Sequence, residues 1–127
     1  MNKINEIYVC EKCKNTVEIT IAGCGALNCC GNEMKKYEAK TADQAIEKHV
    51  PVIESIDNGT LIKVGSTAHP MEDDHYICWI EIINGSYVNR KNLAPGEKPE
   101  AAFYVKSAPG MIVREFCNKH GLWEYTV

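Results

Sequence analysis

No stretch of this chain stays apolar for more than a few residues. A helix needs about 20 such residues to cross a bilayer, so no membrane-spanning helix and no membrane partner is expected. An excess of positive charge is also missing. Fourteen Lys and Arg face seventeen Asp and Glu, for a net charge of −3, which removes the basic footprint of a nucleic-acid binder. The opening Met1–Glu6 has no apolar signal core and points to a protein that is not exported. An even cysteine count is lacking as well, since there are seven. An odd set without an export signal argues against a disulfide framework and for a reducing, cytoplasmic setting, where cysteines bind metal or carry out redox chemistry. The 127 residues are 45% apolar and 24% charged, which excludes intrinsic disorder.

What is present is unevenly distributed. Five cysteines, Cys10, Cys13, Cys24, Cys29 and Cys30, lie within residues 1–36, whereas all four histidines, His49, His69, His75 and His120, come later. Residues 1–36 carry a net charge of +1 and residues 37–127 a net charge of −4. This reads as two units, a small one over 1–36 and a larger one over 43–127, joined by a connector at 37–42. The first unit is too short to bury a self-sufficient core and needs a metal, a disulfide or a partner chain. Its apolar residues, Ile7, Tyr8 and Val9, then Val17, Ile19 and Ile21 with Leu27, read as two short strands around a Cys-rich turn. The second unit opens with a short helix predicted over 41–47, ended by Pro51. Beyond it the pattern is β. Strands are predicted at 52–56 and 61–64, around Asp57-Asn58-Gly59, and at 76–83 and 87–89, around Asn84-Gly85. Three more are expected at 101–105, 111–116 and 122–125. About seven short strands with regular turn signals predict a β-sandwich.

Cys10-Glu11-Lys12-Cys13 is followed by Cys29-Cys30. Two intervening residues let both thiolates of the first pair face one ion, and a four-sulfur set suits iron or zinc. The adjacent second pair must splay to reach the same ion. Cys24 is left over as a small residue in a Gly-rich turn. The histidines each stand beside a turn, a proline or a strand end, and Cys117 precedes His120 by three residues. Spacing alone does not show that they converge. If they do, four imidazoles and a thiolate suit iron and leave one position of an octahedral ion open.

The motifs taken together resemble desulfoferrodoxin, the two-iron form of superoxide reductase. They are Cys-x-x-Cys, Cys-Cys, Glu47-Lys48-His49-Val50-Pro51, His69-Pro70-Met71, His75-Tyr76-Ile77 with Trp79-Ile80, and Cys117-Asn118-x-His120-Gly121-x-Trp123, in the family's order over essentially the whole chain. The resemblance implies a mainly β protein, with a small desulforedoxin-like domain followed by an immunoglobulin-like β-sandwich. It implies two irons per chain. One would be held by Cys10, Cys13, Cys29 and Cys30, the other by His49, His69, His75 and His120 in a plane with Cys117 axial. Cys24 and Cys78 stand outside the pattern. The implied reaction is reduction of superoxide to hydrogen peroxide, with Lys48 beside the open position and Glu47 as a sixth ligand of oxidised iron. A rubredoxin-like electron donor and a homodimer are implied too. Two other readings fit part of the chain: a structural zinc module, and a rubredoxin-like electron carrier without catalysis, which leaves the histidines, Lys48 and Cys117 unexplained.

Overall fold

The computed structural model describes residues 1–41, 49–65 and 69–127. The chain forms two compact units, Met1–Glu38 and Ala39–Val127. All regular structure among the described residues is β. The helix expected over 41–47 falls, apart from Thr41, outside the described residues, as do Glu47 and Lys48.

In the first unit, β1 (Ile7–Val9) is flanked antiparallel by β2 (Thr16–Glu18) and, beyond a small hairpin of β3 (Asn28–Cys29) and β4 (Asn32–Glu33), by β5 (Lys35–Tyr37). Its buried apolar residues are Ile7, Val9, Cys10, Ile19 and Met34. The sequence reading located β1 and β2 but missed β5, whose Lys35-Lys36-Tyr37 has no apolar alternation to show it. Ile21 is 87% exposed and adds nothing to this core. So thin an interior agrees with a unit that depends on its sulfur cluster for stability.

The second unit is a sandwich of two antiparallel sheets. One has the order β10-β7-β6 and the other β12-β11-β8-β9, built from β6 (Pro51–Ile56), β7 (Gly59–Val64), β8 (Ile77–Asn84), β9 (Tyr87–Asn92), β10 (Glu100–Phe103), β11 (Ile112–Cys117) and β12 (Gly121–Thr126). These are the seven strands that the turn spacing predicts, shifted by a few residues at their ends. Ile62 and Val64 of one sheet face Ile80, Ile82 and Val113 of the other, and Ala101, Phe103 and Met111 complete the core.

Three local features shape the sandwich. Asp57 and Asn58 alone form the β6–β7 turn, so Gly59 already lies in the ladder opposite Ile56. Glycine is needed there for space, because a Cβ would come within 1.9 Å of the Phe103 carbonyl oxygen. At Asn84-Gly85, by contrast, Gly85 has φ +61 and open space around it, so the need is conformational, as in a hairpin turn with glycine first. The third feature is a bulge. Phe116 pairs with Trp79 but Cys117 pairs with Ile77, so Cys78 is skipped. Strict alternation would have put Cys78 on the core face with Ile80. The bulge instead turns Ile77 into the core opposite Cys117, which alternation from Val113 already places there, and leaves Cys78 half-buried.

On the outer face of the same sheet, Glu81 is wholly buried beneath two cross-strand neighbours. Arg90 donates to its Oε2 at 2.7 and 3.1 Å and Arg114 donates to Oε1 at 2.7 Å. Both guanidinium groups lie over Trp79, which stacks on Phe116. A carboxylate so buried is tolerable only because both oxygens are paired.

The two turn glycines should respond differently to alanine. Gly59→Ala forces a backbone clash and should cost about 3 kcal/mol, the upper end for overpacking. Gly85→Ala, strained only in φ, should cost about 1 kcal/mol. Thermal melting followed by circular dichroism checks this, with Gly59→Ala expected to lower Tm by at least about 10 °C for a sandwich of this size. Equal losses would show that Gly59 is not packed as described.

Candidate metal centres

Four sulfurs meet in the first unit. Cys10 immediately follows β1, and its carbonyl accepts from the Lys14 amide at 2.8 Å, closing a tight turn in which Lys14 has φ +68. Within that turn the Cys13 amide points at the Cys10 sulfur and the Asn15 amide at the Cys13 sulfur, each at 3.5 Å. The second pair splays in a specific way. Cys29 pairs with Asn32, so Cys30 and Gly31 are the two loop residues of the β3–β4 hairpin, at φ +54 and +78. That double left-handed turn normally favours Asn-Gly. A cysteine there carries strain, a pattern that marks functional positions.

The ligand atoms of Cys10, Cys13, Cys29 and Cys30 lie within 4.8 Å of one another. Cys13 and Cys29 sulfurs are 3.6 Å apart, and those of Cys29 and Cys30 are 3.9 Å apart. A tetrahedral ion with metal–sulfur bonds of about 2.3 Å requires sulfurs about 3.8 Å apart. The electrostatics need a cation too. The amide of Cys13 draws the Cys10 thiol down to about 6. Contacts with the neighbouring thiols, Cys13 first, push Cys29 up and Cys30 up to about 12. Four thiolates cannot share this space without a positive ion. Cys24 is exposed and outside the cluster, in a loop held by the Asn2 amide on the Gly23 carbonyl.

The second cluster gathers at one end of the sandwich. His49 lies just before β6, His69 beyond β7, His75 just before β8, Cys117 ends β11, and His120 immediately precedes β12. Antiparallel pairing brings these ends together, because Pro51 lies opposite Val64, and Cys117 opposite both Ile77 and Gly121. Gly121, at φ +82, closes the tight loop between Cys117 and His120. Asn118 in that loop binds it to the segment carrying His75. Its Oδ1 accepts from the Tyr76 amide at 2.9 Å and its Nδ2 donates to the Asp74 carbonyl at 3.0 Å.

The four imidazoles form a closed ring in the order His49, His69, His75, His120. Neighbouring centroids are 4.7 to 5.0 Å apart and neighbouring planes meet at 67° to 81°. The Nε2 atom of His49 is 3.0 Å from Nε2 of His69 and 3.1 Å from Nδ1 of His120. Two donors at right angles on an ion with metal–nitrogen bonds of about 2.1 Å sit about 3.0 Å apart. Hydrogen bonding does not explain the arrangement. Nδ1 of His69 donates to the Pro70 carbonyl at 2.7 Å, which leaves its Nε2 as a bare lone pair in the neutral ring. One ring nitrogen of His49 cannot make good hydrogen bonds to two others at once. Nε2 of His75 is buried with no hydrogen-bond partner among the described residues. The Cys117 sulfur is 3.8 Å from Nδ1 of His120.

Burial pushes the His69 imidazole down to about 4 and lowers His75, so both are neutral at pH 7, the form that binds metal. It also raises the Cys117 thiol, a cost that a bound cation reverses by deprotonating it outright. The cluster therefore fits a six-coordinate ion with five donors. The sequence reading named these five residues. It gave no role to Asn118, Lys40 or Trp123, because their contacts span strands distant in the chain.

Similarity to known proteins agrees with this geometry. The family model described as "Desulfoferrodoxin, N-terminal domain" matches residues 2–37, and that described as "Desulfoferrodoxin" matches residues 41–126. The "Desulfoferrodoxin homolog" of Archaeoglobus fulgidus is 51% identical over 124 residues, 98% of each chain. The "Superoxide reductase" of Pyrococcus abyssi is 34% identical over 74% of this chain and 97% of its own. The crystal structure of the superoxide reductase from Treponema pallidum superposes with a TM-score of 0.77 at 27% identity, covering 95% of this chain and 97% of that one. Both halves of the sequence, each with its own donor cluster, are thus accounted for by one family, and the chain belongs to the desulfoferrodoxins.

Proposed function

We propose that this protein is a superoxide reductase, an oxidoreductase that converts superoxide, one electron and two protons to hydrogen peroxide without releasing oxygen. It takes two irons per chain, one at the four-cysteine cluster and one at the cluster of four histidines and Cys117. The observation that carries the reading is the ring of four imidazoles with a single thiolate, a set of five donors that leaves one position of a six-coordinate ion open. Ferrous iron bound there supplies the electron and a place for the anion to bind.

Each residue then has a task. His49, His69, His75 and His120 hold the ion as neutral ligands and add no charge. Cys117 would be the one soft, electron-releasing donor to that ion, the ligand that would make it a better electron donor. Lys48 precedes His49 in the chain and brings the positive charge that attracts an anion to an otherwise acidic protein. It also orients the water that delivers a proton. Glu47, two residues before His49 in the chain, would offer a hard carboxylate ligand suited to the oxidised ion. Cys10, Cys13, Cys29 and Cys30 hold the other iron.

Family membership supports a rubredoxin-like electron donor and a homodimer. Seven cysteines without a disulfide among them support a reducing compartment, the cytoplasm. No helix among the described residues is long and apolar enough to cross a membrane.

Rapid mixing of the reduced protein with superoxide tests the activity: superoxide should disappear with peroxide formed and no oxygen evolved. Cys117→Ser should abolish turnover and the thiolate-to-iron absorption band, and full activity in this variant would exclude Cys117 as a ligand. Cys13→Ser should bleach the four-sulfur centre yet leave reaction with superoxide intact, and its loss with the histidine site still loaded would make the sulfur centre essential to the reaction. Lys48→Ala should slow the encounter about tenfold, the low end for electrostatic steering, and flatten its salt dependence. Glu47→Ala should leave the encounter unchanged and alter only the spectrum of the oxidised protein. The opposite pattern would mean that these two neighbours exchange roles.

A further inference from the structure

Beyond the five donors, one aromatic side chain lies flat on the histidine ring. Trp123 stacks on His49 with centroids 4.7 Å apart and planes 11° from parallel. It is 6% exposed, and its indole nitrogen is buried with no acceptor among the described residues. A buried indole is usually fixed by a hydrogen bond at that nitrogen. Here only its ring faces and its backbone are available to hold it.

Lys40 supplies that hold. Its backbone bridges to Trp123, with the Lys40 amide donating to the Leu122 carbonyl and the Glu124 amide to the Lys40 carbonyl, both at 2.9 Å. Its ammonium lies over the indole, 5.1 Å from the ring centroid, and donates to the His120 carbonyl at 3.0 Å. The attraction between a cation and the negative face of an indole fixes the tilt of the ring.

We infer that Lys40 is a positioning residue for the histidine-bound metal: one ammonium group holds His120 through its carbonyl and His49 through Trp123, and its charge favours the reduced state of the ion. This rests on the functional reading above, which places a metal inside the histidine ring. The effect on the ion follows from two separate properties. The hydrogen bond and the stack restrict the two imidazoles to their ligating orientation before metal arrives, as residues behind metal ligands commonly do. The positive charge makes an additional charge on the ion costlier, so it raises the reduction potential.

Three full-length variants, Lys40→Met, Lys40→Gln and Lys40→Arg, separate these properties. The readouts are the midpoint potential, titrated at the thiolate absorption band of the histidine site, and the rate of iron loss to a ferrous chelator. Lys40→Met, which keeps the stem without donor or charge, should lose iron about tenfold faster than wild type and show a lower potential. Lys40→Gln, which keeps a donor but no charge, should share the low potential while losing iron more slowly than Lys40→Met. Lys40→Arg, which can both stack and donate, should restore both readouts, whereas the potential of the four-sulfur site should not move in any variant. A loaded Lys40→Met protein with wild-type potential and iron retention overturns the inference, as does a loss that Lys40→Arg fails to restore. A wild-type protein that takes no iron at the histidine cluster would overturn the functional reading itself, a result separable from the first two.

Discussion

Crowding of metal-ligating atoms governs this structure. At one end of the sandwich, Nε2 of His49 faces two other ring nitrogens at 3.0 and 3.1 Å, and Nε2 of His75 is buried without a partner. Burying the His75 nitrogen unpaired costs about 1–3 kcal/mol. A cation turns that cost into a bond and gives the crowded nitrogens around His49 a common partner. The surrounding fold holds the donors in this arrangement. The Pro70 carbonyl accepts from the far side of His69, the bulge at Cys78 sets Ile77 opposite Cys117, and the Asn118 bonds hold the loop that carries two ligands. The first unit repeats the theme with sulfur. A cysteine held at φ +54 is an unfavourable turn residue that only a four-thiolate cluster explains.

The rigidity needed to keep such a site open comes from the sheets. Five donors come from the ends of five strands, and the strands themselves are fixed by a core of isoleucine, valine and phenylalanine and by the Glu81–Arg90–Arg114 network on the outer face. That network spans β8, β9 and β11, and two of these strands lead into ligands. Its paired charges cannot rearrange without leaving a buried carboxylate bare. A site built on loops alone would relax until its lone pairs separated. Here the loop between Cys117 and β12 is only three residues long, and Asn118 within it ties it to the segment that carries His75.

Much of this was legible in the sequence, for identifiable reasons. The sandwich strands announced themselves by alternation and by their turn residues, and the donors by residue types that are rare elsewhere in the chain. The helix expected over 41–47 and the residues Glu47 and Lys48 fall mainly or wholly outside the described residues, so those expectations stand as proposals. Other features could not be read locally. β5 has no apolar alternation. The bulge reverses the face of one cysteine without leaving a mark in the spacing. Gly59 looks like a turn glycine and is in fact a close-approach residue, a distinction set by Phe103, forty-four positions away in sequence. Lys40 and Trp123 meet only because β12 folds back beside residue 40. In each case the missing information was a contact between distant segments, which periodicity does not encode.

Donor count separates the work of the two centres. Four thiolates spaced for a tetrahedron saturate their ion, so nothing from solution can bind it without displacing a sulfur; such a centre can store an electron but offers a substrate no place to bind. Five donors around an ion that prefers six leave one position free, and four of them are neutral. The charge at that position is then set by a single thiolate and by Lys40, whose ammonium donates to the His120 carbonyl, and this is where a small anion can be bound and reduced. The division follows from stoichiometry before any detail of mechanism. It explains why the chain invests in two clusters of different chemistry instead of two copies of one.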